Sequence, residues 1–284
     1  ITNIDREHLD FYKSMNNLEN KFISFIEKTP SFGKTFICID DKNNRKILKK
    51  IKNNNYYTYG TKIGSNFQIL NISQDATFSK FDLKIKVPGI SDKIIKNVKV
   101  PTIGMHNIRN ATAAVSVSLS VGISEKIIKK ALYEFEGVQR RFTKIFTYNN
   151  VNFYDDYAHH PTEIKEVING ISEVFKEKKI VCIFQPHRVS RLKTLRKDFS
   201  YAFKKVDTVV SCPVYKAGEN IKLGFKYKNF AKEIIRNSKV KIILINNKID
   251  LVRFTKQYIF GEKLVVGMGA GSISSWLRSL PKLL

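Results

Sequence analysis

The second half of the chain alternates between two hydrophobic periodicities, and this alternation restricts its fold more than any other feature. Apolar, β-branched runs with the length of buried strands occur at Ile180–Phe184, Thr208–Cys212, Val240–Ile245 and Lys263–Gly267. Between them lie Thr162–Phe175 and a second segment of helical spacing, whose apolar positions are Leu192, Leu195, Phe199, Ala202 and Phe203. Strands that alternate with helices predict right-handed crossovers and a mostly parallel sheet covered on both faces. The second half is therefore predicted to be a Rossmann-like α/β domain.

The first half is less regular, but its elements can still be ordered from the pattern. The predicted elements are a helix at Leu18–Glu27, a strand at Thr35–Ile39, a β-rich stretch from Tyr56 to Val100, and helices at His106–Val121 and Glu125–Phe135. The last helix is predicted to face inward through Ile127, Ile128, Ala131, Leu132 and Phe135. Because a domain has about 150 residues, the chain is predicted to form two domains, 1–136 and 137–284.

The composition favours a folded protein of the cytoplasm. Apolar residues make up 43% of the 284 residues, which is enough to build real cores. No apolar run approaches the roughly 20 residues that a membrane-spanning helix needs. Cys38, Cys182 and Cys212 are too far apart in sequence to indicate a disulfide framework or a zinc cage. The chain begins with Ile1 rather than Met, from which we expect that an N-terminal portion precedes it.

The charge of the chain raises the question of a nucleic-acid partner. Lys and Arg number 50 against 25 Asp and Glu, a formal net charge of +25, and such an excess is typical of nucleic-acid-binding proteins. The basic residues are nevertheless scattered over predicted loops and polar helix faces, without the interleaved glycines and aromatics of an RNA-binding sheet. A solvated basic surface with no nucleic-acid or membrane partner is the favoured interpretation, and a basic nucleic-acid-binding module is the alternative.

Polar side chains gather where predicted strands and helices end. Asn107 and Asn110 lie three residues apart at the start of a helix, so they share a face on which two amides could recognise adenine; N-capping is the alternative. Asp155 and Asp156 follow a predicted strand at Val151–Tyr154. Carboxylates at this position can accept hydrogen bonds from ribose hydroxyls or bind Mg²⁺, and a solvated turn is the alternative.

A cluster of histidine and arginine follows the strand that ends at Phe184. Arg188 and Arg191 lie one helical turn apart at a predicted helix N-terminus, where two guanidiniums and free backbone N–H groups would bind a small carboxylate. A solvated pair of surface arginines is the alternative. Arg140 and Arg141, just past the domain boundary, could reach a phosphate across a cleft. The histidines of the chain all stand in short polar clusters, namely His8, His106, His159, His160 and His187.

Two glycine-containing segments resemble nucleotide-binding loops but depart from them. Gly33-Lys34-Thr35 looks like the end of a P-loop, but Lys28 stands where that loop requires a glycine, so a helix-to-strand turn is predicted. Gly267-Met-Gly269-Ala-Gly271 follows a predicted strand, but its third glycine comes one position too early for a dinucleotide-binding fingerprint. We therefore predict a tight strand-to-helix turn here and no P-loop in the chain.

Taken in order, these clusters resemble the Mur ligases over nearly the whole chain. The matching segments are Asn3-Ile-Asp-Arg-Glu-His-Leu-Asp10, Gly104-Met-His-Asn-Ile-Arg-Asn110-Ala-Thr-Ala-Ala114, Gly137-Val-Gln-Arg-Arg-Phe142, Asp155-Asp-Tyr-Ala-His-His-Pro-Thr-Glu163, Phe184-Gln-Pro-His-Arg-Val-Ser-Arg191, Tyr215-Lys-Ala-Gly-Glu219 and Gly269-Ala-Gly271. The resemblance implies an α/β chain that comprises part of the family's central ATPase domain, without its P-loop, followed by the Rossmann-like, mostly parallel-sheet C-terminal domain that receives the amino acid. The UDP-sugar domain would precede it.

The resemblance also implies an activity and its residues. The family's alanine-adding branch joins L-alanine to UDP-N-acetylmuramate in peptidoglycan synthesis, with ATP and Mg²⁺, through an acyl phosphate. By position, the expected Mg²⁺ ligand is His8, the adenine contacts are Asn107 and Asn110, and the ribose contact is Asp156. The resemblance implies that Arg141, with Arg140, contacts the γ-phosphate. The residues that it implies for the L-alanine pocket and its surroundings are Tyr157, His159, His160, His187, Arg188 and Arg191.

Two other functions remain open at this point. The related ligase that recycles murein tripeptide shares the run from Asp155 to Pro161 but is not expected to carry the run from Phe184 to Arg191. An inactive, basic nucleic-acid-binding module that reuses the fold is the other alternative. The preference among L-alanine, glycine and L-serine does not follow from the residues, because one methyl group is worth only about 1–3 kcal/mol in such a pocket.

Overall fold

The computed structural model of the chain describes residues 1–219 and 227–284, which form two units, Ile1–Glu136 and Gly137–Leu284. The helices of the first unit are α1 (Leu9–Tyr12), α2 (Met15–Glu27), α3 (Lys42–Leu48), α4 (Met105–Ser120) and α5 (Glu125–Tyr133). Its strands are β1 (Thr35–Cys38), β2 (Tyr56–Gly60), β3 (Phe67–Gln74), β4 (Ser79–Val87) and β5 (Ile90–Val100). Side-chain caps begin two of these helices: Ser14 accepts from the Asn17 N–H before α2, and Asp41 accepts from the Asn44 N–H before α3.

The strands of the first unit form one sheet in the order β1-β2-β3-β4-β5. Strands β1, β2 and β3 are parallel to one another, whereas β4 is antiparallel to both of its neighbours, β3 and β5. Strand β4 alternates buried positions, such as Phe81 and Leu83, with outward lysines, as expected of a sheet with one face in the core. The segment around Gly33 and Lys34 connects α2 to β1, as predicted.

Helix α5 differs from its sequence prediction. Ile128 is buried and Leu132 packs against the core, but Ile127 and Phe135 are 60% and 40% exposed, and Ala131 is exposed as well. The helix covers strand β5 only along the stripe that Ile128 and Leu132 form at i, i+4. The prediction that all five apolar positions face inward was therefore wrong, because the contact with the sheet is narrower than the apolar face.

The second unit is built on a sheet in the order β10-β9-β8-β11-β7-β6. Its strands are β6 (Thr143–Tyr148), β7 (Val151–Asp156), β8 (Lys179–Phe184), β9 (Thr208–Ser211), β10 (Lys241–Leu244) and β11 (Lys263–Met268). Its helices are α6 (Pro161–Val174), α7 (Val189–Thr194), α8 (Arg196–Ser200), α9 (Tyr227–Ser238), α10 (Lys248–Tyr258) and α11 (Ile273–Ser279), followed by a 3-10 turn at Leu280–Lys282.

All neighbouring strands of this sheet are parallel except β6, which is antiparallel to β7. Strands β8 and β11 are buried along almost their whole length, because helices cover both faces of a parallel sheet. The predicted α/β class with a mostly parallel sheet is confirmed. Strand β7 continues two residues beyond its predicted end and includes both Asp155 and Asp156.

The apolar segment predicted from Leu192 to Phe203 is divided into two short helices. Helix α7 ends before Leu195 and α8 begins after it, because the backbone of Leu195 leaves the helical region at φ −107° and ψ 23°. Leu192, Leu195 and Phe199 are nevertheless all buried. The apolar spacing therefore continues through the break, although the helix does not. Among residues 1–219 and 227–284, we find no helix with the length and hydropathy needed to cross a membrane.

Candidate functional site

Three parallel strands of the second unit end at the same level of the sheet. Met268 of β11 is in register with Asp156 of β7 on one side and with Phe184 of β8 on the other. The loops that follow these strands carry Tyr157 and Gln185 among their first residues. In open α/β sheets, ligands bind beyond the carboxyl ends of such strands. This edge is the candidate site of the second unit.

The turn after β11 approaches its neighbours so closely that it requires glycine. A Cβ on Gly269, whose φ is +151°, would lie 2.8 Å from the Gln185 carbonyl oxygen. A Cβ on Gly271 would lie 2.5 Å from Cγ of Tyr215. Gln185 holds the turn, because its Oε1 accepts from the Ile273 N–H at 3.0 Å. The predicted strand-to-helix turn is confirmed.

Four rings form a continuous row along this edge, which we call the aromatic row: Tyr157, His159, His187 and Tyr215. Neighbouring ring centroids are 5.1 Å apart for Tyr157 and His159 and 5.5 Å apart for His159 and His187. The rings of His187 and Tyr215 are stacked at 5.5 Å and 14°. The structure thus brings together three of the residues that the sequence predicted for the amino-acid pocket, and it adds Tyr215.

His187 is a neutral hydrogen-bond acceptor on its Nδ1 atom. Burial, together with the positive electrostatic surroundings, lowers the pKa of its imidazole to about 4. Nη1 of Arg191 lies 3.1 Å from Nδ1, and since a guanidinium only donates, this Nδ1 must accept. The ring proton of the neutral tautomer is therefore on Nε2. Arg191 and His187 are held in a fixed mutual orientation.

The N-terminus of α7 differs from its prediction in one respect. The N–H groups of Val189 and Ser190 both donate to the carboxylate of Glu219, at 2.7 and 3.3 Å. The predicted free backbone donors beside Arg188 and Arg191 are therefore occupied by the protein itself. A substrate carboxylate at this position would have to be bound by the guanidiniums.

Arg140 and Arg141 have different surroundings although they are adjacent. Nη2 of Arg140 donates to the Gly269 carbonyl at 2.5 Å, and its Nε lies 4.0 Å from Asp155. Its guanidinium also lies over the Tyr157 ring at 4.6 Å. Arg141 is exposed, and its guanidinium is 5.9 Å from the same ring. The geometry makes Arg140 an anchor of the site and leaves Arg141 available to a ligand.

Asp155 and Asp156 are both buried. Asp155 accepts from Ser274 and pairs with Arg278 at 3.2 Å. Asp156 accepts from the N–H groups of Phe142 and Ala158, at 2.8 and 2.7 Å, so each of its oxygens has a backbone donor. Burial raises the pKa of Asp156 to about 6 although these hydrogen bonds favour the charged form. The solvated-turn alternative for this pair was wrong; the ribose contact of Asp156 stays a prediction.

His160 is used as a helix cap. Its Nδ1 accepts from the Thr162 N–H at 3.3 Å, and Glu163 accepts in return from the His160 N–H at 3.2 Å, which together form a capping box at the start of α6. Glu163 also accepts from the His159 N–H at 3.0 Å. The capping box therefore fixes the backbone that presents His159 to the aromatic row.

The remaining predicted residues lie in the first unit. Asn107 and Asn110 are both in α4, and Asn110 is exposed, whereas Nδ2 of Asn107 donates to the Ile103 carbonyl at 2.7 Å. The same helix is fixed by Arg109, whose Nε pairs with Asp40 at 2.9 Å. His8 is exposed and precedes α1 in the left-handed conformation, with φ 55°.

A magnesium site is not assembled by the described residues alone. Within residues 1–219 and 227–284, no three His, Cys, Asp or Glu side chains come together as a group that could hold a metal ion. His8 offers a single imidazole, whereas Mg²⁺ prefers oxygen ligands and keeps several waters or phosphates. The role of His8 as a metal ligand stays a prediction.

Two family models account for most of the chain. Residues 1–118 match the Mur ligase middle domain, and residues 140–271 match the Mur ligase, glutamate ligase domain. The chain therefore belongs to the Mur ligase family, as its motifs predicted.

Within this family, the most similar relatives that we compared are named UDP-N-acetylmuramate–L-alanine ligase. The relative from Pelagibacter ubique is 60% identical over 284 residues, which is 100% of this chain and 61% of the relative. The relative from Bartonella tribocorum is 37% identical over 282 residues, which is 99% of this chain and 59% of the relative. The chain thus spans about three fifths of the length of the curated relatives that it matches.

Solved structures agree on the fold. A UDP-N-acetylmuramate–alanine ligase from Thermotoga maritima superposes with a TM-score of 0.74 at 24% identity, over 98% of this chain and 57% of that chain. A murein peptide ligase from Psychrobacter arcticus gives a TM-score of 0.67 at 19% identity, over 93% and 54%. A MurF ligase from Thermotoga maritima, solved in complex with ADP, gives 0.71 at 16% identity, over 100% and 62%.

Proposed function

We propose that the chain is the part of a UDP-N-acetylmuramate–L-alanine ligase that contacts ATP and receives the amino acid. The observation that carries this proposal is the arrangement after β8, where Arg188 and Arg191 lie one helical turn apart and Arg191 donates to a neutral His187. Two guanidiniums are a strong receptor for a small carboxylate. The 60% identity to a relative with this name supports the same substrate.

In the proposed reaction, the muramoyl carboxylate attacks the γ-phosphate of ATP and ADP leaves. The amine of L-alanine then attacks the resulting acyl phosphate, inorganic phosphate leaves, and the nitrogen loses a proton as the amide forms. Arg188 and Arg191 bind the alanine carboxylate and so leave the amine free to act as the nucleophile. Arg141 lies near the γ-phosphate and neutralises charge that develops on the transferred group. Asn107 and Asn110 contact the adenine, and Asp156 contacts the ribose.

The family resemblance also assigns Mg²⁺ a place in this reaction, with His8 as one ligand. When bound, such an ion neutralises phosphate charge.

The proposal is tested by coupled-enzyme assays of ADP release on the complete gene product. We expect release to require both UDP-N-acetylmuramate and L-alanine, and we expect Arg188→Ala to raise the KM for L-alanine. Arg253→Ala removes an exposed arginine that pairs only loosely with Asp250, at 3.8 Å, and serves as the matched control. Unchanged KM for L-alanine in Arg188→Ala would show that the amino-acid pocket is wrongly placed.

A further inference from the structure

The segment 215–219 is fastened along the loop that carries Arg188. The Tyr215 N–H donates to the Pro186 carbonyl at 2.8 Å, and the Arg188 N–H donates to the Tyr215 carbonyl at 2.9 Å. These bonds form a short parallel bridge between His187 and Tyr215, whose rings are stacked. The loop is thus held by a neighbour that lies about thirty residues further along the chain.

Glu219, the last residue of this segment, caps the first turn of α7. Its Oε2 accepts from the Val189 and Ser190 N–H groups, and its Oε1 accepts from the Ser190 hydroxyl. Burial raises the pKa of the Glu219 carboxyl, but the hydrogen bonds from Ser190 and Val189 outweigh this effect and hold the pKa below its usual range. Glu219 is therefore a carboxylate at neutral pH, with both oxygens in use.

This cap lies next to a strained residue. Arg188 has φ 63° and ψ 126°, a conformation that a side chain with a Cβ rarely adopts. Such a conformation persists only where the surroundings determine it. Here the Arg188 N–H is bound by Tyr215 and the next N–H along the chain is bound by Glu219. The strained backbone is thus fixed on both sides by the segment 215–219.

We infer that Glu219 is a positioning residue for the amino-acid carboxylate. By holding the N–H groups of Val189 and Ser190, it keeps Arg188 in the conformation from which its guanidinium, with that of Arg191, receives the carboxylate of L-alanine. This inference rests on the proposed function. It also means that the protein's own carboxylate occupies the backbone donors at the start of α7, so the substrate is bound by side chains.

The kinetic test is carried out on the complete gene product. We expect Glu219→Ala to raise the KM for L-alanine by about tenfold or more, with little change in the KM for ATP or for UDP-N-acetylmuramate. Glu219→Gln keeps an acceptor oxygen for the backbone donors and should restore most of the affinity for L-alanine. Glu262→Ala removes an exposed carboxylate that pairs with Lys178 and is the matched control.

Amide hydrogen exchange on the same variants measures the cap independently of the reaction. We expect the amides of Val189 and Ser190 to exchange faster in Glu219→Ala than in the unsubstituted protein and the control. If ADP release does not depend on L-alanine, the proposed function is wrong. The amide exchange rates of Val189 and Ser190 then test only whether Glu219 caps α7. If exchange accelerates but the Michaelis constants of all substrates stay the same or rise together, or if exchange does not change, the positioning role is wrong.

Discussion

Most of the groups around the imidazole of His187 oppose its protonation, and together they outweigh the Glu219 carboxylate, which favours it. The imidazole is partly buried, and His159, Arg191 and Arg188 add to the effect of burial in lowering its pKa to about 4. We therefore expect the Cε1–H resonance of His187 to titrate near pH 4 in proton–carbon NMR spectra, well below the ordinary value of about 6.5. The spectrum of His187→Gln assigns the resonance. A midpoint near 6.5 would mean that the ring is not held against Arg191 as described.

Asp156 makes the free energy of unfolding decrease as the pH rises. Its folded pKa of about 6 lies above the ordinary value of about 3.9, so its contribution to stability is complete below about pH 4 and is lost as the pH rises through 6. This loss amounts to about 3 kcal/mol in the free energy of unfolding. The lowered pKa of His187 makes the free energy of unfolding increase with pH over the same range. The contribution of Asp156 is therefore isolated by comparison with a variant that lacks its carboxyl group.

We accordingly expect Asp156→Asn to remove the decrease in unfolding free energy that Asp156 causes between pH 4 and 7, as measured by urea unfolding at a series of pH values. The amide loses one acceptor for the N–H groups of Phe142 and Ala158, so the variant is less stable overall, but its pH dependence should differ. Asp198→Asn, at an exposed position, is the control. Parallel pH profiles for the unsubstituted protein and Asp156→Asn would contradict the raised pKa.

Substitution of Arg140 should affect mainly stability, whereas substitution of Arg141 should affect mainly activity. Arg140→Ala removes the hydrogen bond to the Gly269 carbonyl and a cation near buried Asp155, and we expect it to lower the unfolding free energy by about 1–3 kcal/mol. Arg141→Ala removes an exposed side chain, and its unfolding free energy should change by no more than about 0.5 kcal/mol. In the ADP-release assay, Arg141→Ala should nevertheless lose activity. Equal destabilisation by both substitutions would contradict this division.

At the scale of elements, the turn between β11 and α11 supports the aromatic row. A Cβ at position 271 would meet Tyr215 and Gln185, so we expect Gly271→Ala to displace the Tyr215 ring from His187 and to lower the unfolding free energy by about 1–3 kcal/mol. Thermal unfolding and the NMR shifts of His187 measure the two effects. Gly33→Ala, where the added carbon would meet Thr29 at 3.3 Å, is the control. Unchanged His187 shifts would show that the turn does not support the row.

The sequence predicts the bounds of the buried strands closely. Strands β8 and β11 lie within a residue or two of their predicted bounds, because a short apolar, β-branched run in an α/β chain favours a buried strand over any other element. The break at Leu195 could not be predicted, since Leu192 and Phe199 keep their apolar spacing through it. The apolar periodicity indicates which residues are buried, but it does not indicate where the backbone leaves the helical conformation.

The candidate site was predictable to a similar degree. Tyr157, His159 and His187 stand at the ends of predicted strands, so their meeting follows from the parallel order of β7, β11 and β8. The sequence does not predict the cap by Glu219, although this residue ends one of the segments that match the family, because a contact between residues thirty positions apart depends on tertiary structure. Nothing in the local sequence of Val189 and Ser190 shows that their N–H groups are occupied.

At the scale of the whole molecule, each unit has apolar cores of its own. The core of the second unit, which includes Phe153, Ile183 and Val265, is formed by residues from that unit alone, and so are the cores of the first. We therefore expect residues 137–284, expressed alone, to give a cooperative thermal transition by circular dichroism. A shortened form, 137–262, lacks β11 and should not. Absence of a transition in 137–284 would show that the unit needs further residues to fold.

The order of strands in the second unit also has a consequence for its synthesis. Strand β11 is the last strand of the unit along the chain, yet it lies between β8 and β7 in the sheet. Until the ribosome releases residues 263–268, the nascent chain holds a hairpin of β6 and β7 and a separate group of β8, β9 and β10, each with an unpaired apolar strand edge. Shielding of such edges during translation would protect this protein throughout the synthesis of its second unit.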